Sequence, residues 1–184
     1  MPAESDTPTA AAPTVGRHDE RVLIRDATPA DWPAIWRFMR GIVAAGDTFC
    51  WEPDTPEDDA RAMWMHDQLP GRTVVAVDSD GTVLGTAETH PNHFGPGAHI
   101  ANAGFMVDPG HGDKGVGRAL CEHVVAQARE DGYRGMQFNA VAESNTRAVA
   151  LWRSVGFDVL ATVPEGFCHP VHGYVGLHIM YCKL

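Results

Sequence analysis

Apolar residues along the chain alternate between two kinds of spacing. Val22-Leu23-Ile24 is a compact run of strand type. From Trp32 onward the spacing becomes three and four, and Trp32, Ile35, Trp36, Met39, Ile42 and Val43 share one helical face. Thr28-Pro29-Ala30-Asp31, just before it, offers a hydroxyl cap, a proline for the first turn and an acid near the positive end of the helix dipole. Thr55-Pro56-Glu57-Asp58 repeats that start signal, and Ala60, Met63 and Trp64 predict a second amphipathic helix. The loop between them, residues 46–53, carries Phe49 and Trp51, which either wall a pocket or fill the core.

Residues 73–77 and 82–87 read as strands around Asp78-Ser79-Asp80-Gly81, a hairpin turn. A loop over residues 90–97 leads to a strand at 99–107. A helix follows over 115–130, with Val116, Leu120 and Val124 on one face and Gly132 just past its end. A strand at 136–141, a helix at 145–154 and strands at 157–162 and 174–182 complete the chain. The order β-α-α-β-β-β-α-β-α-β-β predicts a mixed α/β domain of α+β type around a largely antiparallel sheet.

Length and charge narrow the classes of function. A chain of 184 residues suits one domain. The first 17 residues are rich in Ala, Pro and Thr and lack the basic start and apolar segment of a signal peptide. Residues 1–20 are therefore expected to be a disordered tail and 21–184 the domain, with a cytoplasmic location. No apolar run reaches the roughly 18 residues that would span a bilayer. A net charge of −10 without a Lys/Arg cluster disfavours nucleic acid as a partner. Cys50, Cys121, Cys168 and Cys182 form no C-x-x-C pair and are expected to be free thiols.

The sharpest local feature is residues 107–118, Val-Asp-Pro-Gly-His-Gly-Asp-Lys-Gly-Val-Gly-Arg, between a strand and a helix. Glycines let backbone N–H groups approach an anion, the helix start adds its dipole, and Lys114 and Arg118 add charge. Such a turn suits the pyrophosphate of a nucleotide-like cofactor; an ordinary glycine turn is the competing reading. Gly110 to Gly115 also spells G-x-G-x-x-G, the dinucleotide fingerprint, but two helices and a hairpin precede it instead of a parallel βαβ opening. No G-K-[ST] occurs, so a Walker A loop fails.

Gly112-Asp113-Lys114-Gly115-Val116-Gly117 resembles the [QR]-x-x-G-x-[GA] signature of the GCN5-related N-acetyltransferase (GNAT) superfamily. Asn145-Thr146-Arg147-Ala148-Val149-Ala150-Leu151-Trp152-Arg153-Ser154-Val155-Gly156-Phe157 resembles that family's N-x-x-A-x-x-L-Y-x-x-x-G-F segment. The resemblance covers about residues 22–184. It implies acetyl-CoA as cosubstrate and a small-molecule amine or amino acid as acceptor. It also implies that the fourth and fifth strands splay into a cleft. Phe105, Met106 and Val107 would then bind the cofactor arm through main chain. Gly112, Asp113, Lys114, Gly115, Val116, Gly117 and Arg118 would hold the pyrophosphate, and Asn145 the polar arm. Two positions depart from the pattern. Gly112 stands where Arg or Gln is usual, and Trp152 where many members carry Tyr, whose phenol can protonate the leaving thiolate.

Within the superfamily, Asn102-Ala103-Gly104-Phe105 and Phe138-Asn139-Ala140-Val141 resemble the N-A-G-F and F-N-x-V strands of the yeast azetidine-2-carboxylate and proline-analogue N-acetyltransferases. That resemblance implies a catalytic, substrate-binding role for Asn102 and Asn139, with Phe49 and Trp51 beside the acceptor, in a detoxifying acetylation. Strand alternation places Asn102 with Gly104 and Met106, and Asn139 with Gln137 and Val141. The bland alternative is that both amides only satisfy backbone groups. Thr48-Phe49 and Glu52-Pro53 also resemble the phosphinothricin-acetylating subgroup, and a non-catalytic CoA-binding domain is a further reading.

Candidate relay bases are Glu88, His90, His93 and His99. His90-x-x-His93 and His169-x-x-His172 lack a completing ligand, so no metal is assigned. The apolar strand at 177–181 is expected to pair or pack across a homodimer interface.

Overall fold

The computed structural model describes residues 22–66, 68–112 and 114–184. The expected tail, residues 1–20, and Asp113 lie outside the described residues. Strand β1 (Leu23–Asp26) leads through a 3-10 turn into α1 (Trp32–Ala45), then α2 (Glu57–Trp64). Strands β2 (Arg72–Val77), β3 (Val83–Pro91) and β4 (Ile100–Val107) follow. They give way to α3 (Val116–Glu130), β5 (Gly135–Ala142), α4 (Thr146–Ser154), β6 (Asp158–His169) and β7 (Gly173–Lys183). Among the described residues one seven-stranded sheet forms, in the order β1-β2-β3-β4-β5-β7-β6. Every neighbouring pair is antiparallel except β4 with β5.

Alternation along β2 divides the core into two layers. Val75 and Val77 face α1 and α2, where Trp32, Ile35, Met39 and Trp64 are buried. Val74 and Ala76 face the other way, onto the layer of Val116, Leu120, Val124, Trp152 and Phe157 from α3, α4 and the chain before β6. The spacing-based face of α1 needs one addition and two corrections. Phe38 is buried, whereas Trp36 and Ile42 are half-buried, because the helix lies across the sheet rather than inside a bundle. Met63 is 45% exposed, so only Ala60 and Trp64 anchor α2.

The two start signals behave differently. Thr28 and Asp31 close a capping box, and Asp31 also takes a two-pronged bond from Arg25 at 2.7 and 2.8 Å. The Arg25 guanidinium, helped by the Thr28 donors, holds the Asp31 carboxyl well below the usual carboxylate range. Thr55 does not cap α2; its hydroxyl donates to the Glu52 carbonyl at 2.6 Å, tying off the preceding loop.

The last two strands run farther than their apolar cores suggested. β6 spans 12 residues and is exposed over most of both faces. β7 is paired on both sides, to β5 and to β6. Residues 177–181 therefore have no open edge with which to pair with a second copy, which leaves only the packing half of the sequence reading. The edge strands of the sheet are β1 and β6.

Candidate active site

The strands β4 and β5 are paired only at their starts, Ile100 with Gly135 and Ala101 with Met136. Beyond Ala101 they diverge, while β4 keeps its ladder with β3 through Val107. The backbone groups of β4 that face β5 are thus left open along a wedge. Aromatic side chains fill the α4 side of that wedge. Trp152 lies 4.8 Å from Phe105 and 5.3 Å from Phe138, ring centre to ring centre, and Phe138 stacks on Phe157 at 4.2 Å. Trp152 is accordingly a buried prop at this position, 8% exposed, as well as part of the cleft wall.

A cleft of about 390 Å³ opens on the wedge. Asn102, Gly104 and Asn139 line it from the sheet, Phe49 and Trp51 from the loop between the first two helices, and Asn145 from the cap of α4. Both earlier readings of Phe49 and Trp51 hold at once. They wall the cleft, and with Trp64 they form an aromatic trio with centres 6.0–6.1 Å apart. Thr48 beside them has its hydroxyl oxygen buried with no hydrogen-bond partner among the described residues.

The two asparagines differ in surroundings. Asn102 is half-buried, and among the described residues its side chain accepts only the Ala103 N–H, at 2.9 Å. Asn139 is exposed and stands in a chain of amides: Gln137 donates to its oxygen at 2.8 Å, and its own amide donates to Asn92 at 2.6 Å. The alternation assigned to Asn139 holds for Gln137 but not for Val141. A bulge between Phe138 and Val141 inserts an extra residue against β7, which turns Val141 back into the core beside Phe138.

Of the four candidate bases, Glu88 and His90 line the cleft, and Glu88 is the more deeply buried. It is 7% exposed and sits directly opposite Gly104 in the β3–β4 register. A Cβ at Gly104 would come within 2.9 Å of Glu88 Oε1 and 3.0 Å of the Trp64 ring, so the glycine is what lets the carboxylate lie across β4. Glu88 Oε2 lies 3.3 Å from His66 Nε2 and 3.7 Å from His90 Nε2. His90 Nδ1 donates to the Pro91 carbonyl at 2.9 Å. A second proton on Nε2 therefore makes this ring an imidazolium next to the carboxylate. His93 and His99 are not among the residues lining the cleft. His66 was missed, since the loop after α2 gives no sequence signal; only the fold brings it to Glu88.

At the other end of the wedge, the turn after β4 is organised by Asp108, which accepts the Gly110 N–H at 2.9 Å. Gly115 has φ 75°, the left-handed region open to glycine, and it starts α3. The first turn of α3 packs against α4, where a Cβ on Gly117 would meet Leu151 at 3.4 Å. Arg118 points along this seam, donating to Ser154 at 2.8 Å and pairing with Glu122 at 3.5 Å. Asn145 caps α4 by accepting the Ala148 N–H at 3.2 Å, which leaves its amide N–H groups toward the cleft. An open strand edge leading to a glycine turn and a helix start fits a ligand with an extended amide arm and a diphosphate.

Cys50 lines the same cleft, and burial pushes its thiol up. The thiolate is the nucleophilic form, so Cys50 is ill suited to carry an acyl group covalently. Cys121 is pushed up to about 12 by burial and is inert core. No helix among the described residues is long and apolar enough to cross a membrane.

Comparison with known proteins agrees with this geometry. The model of the acetyltransferase (GNAT) family matches residues 36–157. N-acetyltransferase aca1 of Schizosaccharomyces pombe is 31% identical over 111 residues, 60% of this chain and 53% of its own. The chain thus spans about half the length of that relative. An L-methionine sulfoximine/L-methionine sulfone acetyltransferase of Salmonella typhimurium is 28% identical over 78% of this chain and 84% of its own. Among solved structures, a GCN5-related N-acetyltransferase from Kribbella flavida is 54% identical with a TM-score of 0.86, over 89% of this chain and 98% of that one. With a family match over most of the folded chain and a wedge shaped for an amide arm and diphosphate, the chain belongs to the acetyltransferase (GNAT) family.

Proposed function

We propose that the protein acetylates the amino group of a small amino acid or amino-acid analogue, with a compact cyclic secondary amine such as azetidine-2-carboxylate or a proline analogue as the preferred acceptor. The observation that carries this reading is that Glu88 and Asn102 line one cleft together with Phe49 and Trp51. Amides and a buried hydroxyl can bind a carboxylate without a bulky ion pair, and the aromatic wall limits the acceptor's size. Phosphinothricin-like acceptors are the second reading. The Salmonella relative is named for methionine sulfoximine and sulfone, which favours that class of analogue.

Acetyl-CoA supplies the acetyl thioester. Glu88 takes the proton of the incoming ammonium and passes it toward His90, which is partly open to solvent. The neutral amine would then form the C–N bond at the thioester carbonyl as the C–S bond breaks, CoA leaving as the thiol with the proton the amine gives up. The β4 main chain near Val107 would offer an N–H to the oxygen on which charge develops. Asn102 and Asn139 orient the acceptor nitrogen.

A thiol-release assay across azetidine-2-carboxylate, proline analogues, phosphinothricin and methionine sulfoximine tests the acceptor class. Turnover on none of the cyclic amines removes the preferred acceptor; turnover on none of the panel, with acetyl-CoA still bound, favours a non-catalytic CoA-binding domain. Asn102→Ala and Asn139→Ala are each expected to lower kcat/KM about 10-fold or more, with acetyl-CoA affinity unchanged. Unchanged turnover in both moves the acceptor site elsewhere.

The expected homodimer is reassigned from β7 to β6, whose edge is open and which presents Leu160 at 60% and Val163 at 47% exposure. Sedimentation as a monomer at micromolar concentration would remove that assignment.

A further inference from the structure

The glycine turn carries an unusual feature for a diphosphate site: position 112 has no side chain, and a side chain from elsewhere occupies the neighbouring space. Gly112 has φ −60°, so no backbone constraint demands glycine there. A Cβ built on it would meet Arg147 Nη1 at 3.9 Å, and Arg147 Nη2 donates to the Gly112 carbonyl at 2.6 Å. Arg147 belongs to the first turn of α4, 35 residues further along the chain.

The reach of Arg147 follows from how α4 lies. Arg147, Leu151 and Ser154 are spaced by four and three residues and so share one helical face. Leu151 lies within 3.4 Å of where a Gly117 Cβ would be, Ser154 takes the Arg118 guanidinium, and Arg147 reaches Gly112. One face of α4 therefore tracks the turn and the start of α3, contact by contact. Arg37 and His111 lie 3.7 and 3.6 Å from Asp108, and Arg118 pairs with Glu122 at 3.5 Å.

We propose that Arg147 supplies, from α4, the guanidinium that binds the diphosphate of acetyl-CoA beside the Gly112 turn. An arginine fork presents paired N–H donors to phosphate oxygens, which a single backbone cradle does not. The inference rests on acetyl-CoA being the cosubstrate. It adds that α4, which lines the wedge through Ala148 and Trp152, also carries charge for the diphosphate.

Calorimetric affinities of wild type, Arg147→Ala and Arg147→Lys for CoA, 3′-dephospho-CoA and acetyl-pantetheine test it. Unfolding midpoints without ligand serve as the control for folding. Arg147→Ala is expected to weaken CoA and 3′-dephospho-CoA equally, by about 10-fold or more, and to leave acetyl-pantetheine unaffected. Arg147→Lys, which keeps the charge but loses the fork, is expected to fall between. Equal affinities in wild type and Arg147→Ala overturn the proposal. So does a loss confined to CoA, which would place Arg147 at the 3′-phosphate. So does an equal loss with acetyl-pantetheine, which would make Arg147 a tether of α4 only. If wild type binds none of the three ligands, it is the acetyl-CoA reading itself that fails.

Discussion

Glu88→Gln is expected to lower kcat by about 100- to 1000-fold while leaving acetyl-CoA affinity within twofold of wild type. The amide is nearly isosteric, so it can stay beside His66 and across Gly104, and the packing against Trp64 survives. What it cannot do is accept a proton. The acceptor amine attacks the thioester only when neutral, and the described residues lining the cleft offer one carboxylate, Glu88. Raising the pH should recover part of the loss, because free amine then reaches the site without help. A wild-type rate in Glu88→Gln would transfer the proton to His90 or to water. A parallel loss of acetyl-CoA affinity would instead make Glu88 a structural strut. The depth of the effect also bears on Gly104, the position that keeps the carboxylate's path across β4 clear.

How far the sequence foretold this site depended on whether the signal was local. The glycine turn was legible because it is a property of a few consecutive residues, a strand end followed by a helix start. Asn102 was placed by simple alternation along β4, which is unbroken from Ile100 to Val107. Asn139 obeyed the same rule only as far as the bulge, because one extra residue against β7 exchanges the faces that follow. Bulges are set by tertiary pairing, and the run Phe138-Asn139-Ala140-Val141 carries no glycine to announce one.

His66 and Arg147 were beyond reach for a different reason. Each acts on a residue far from it in sequence, Glu88 and Gly112, and their meeting depends on how α2 and α4 lie on the sheet. Arg147 in particular was legible as part of a helix but not as a neighbour of the turn. The same limit hid the pairing of β7 on both sides. The apolar run at 177–181 is the mark of a strand buried between two partners, and an open edge is better sought in β6, where most residues are exposed on both faces.

Trp152→Ala is expected to cost about 3–5 kcal/mol of unfolding free energy, read from the urea midpoint at unchanged slope. Trp152 is packed against Phe105 on β4 and Phe138 on β5, the two strands that part company after Ala101. No ladder hydrogen bonds hold those strands at their separation beyond that point. The separation is maintained by what stands between them, and on the α4 side that is the indole. Truncation leaves a cavity in the apolar layer and removes the spacer, so acetyl-CoA affinity should fall together with stability. Trp152→Phe keeps an aromatic ring in contact with both neighbours and should recover most of the stability. It should also keep turnover within a few-fold of wild type, because an indole N–H is far too weak an acid to protonate a leaving thiolate. A stable Trp152→Phe protein with turnover lost would give the indole a chemical role. A loss below about 1 kcal/mol in Trp152→Ala would mean that the strands diverge without a prop, and the wedge would have to be held open by the β5 bulge and its pairing with β7 instead.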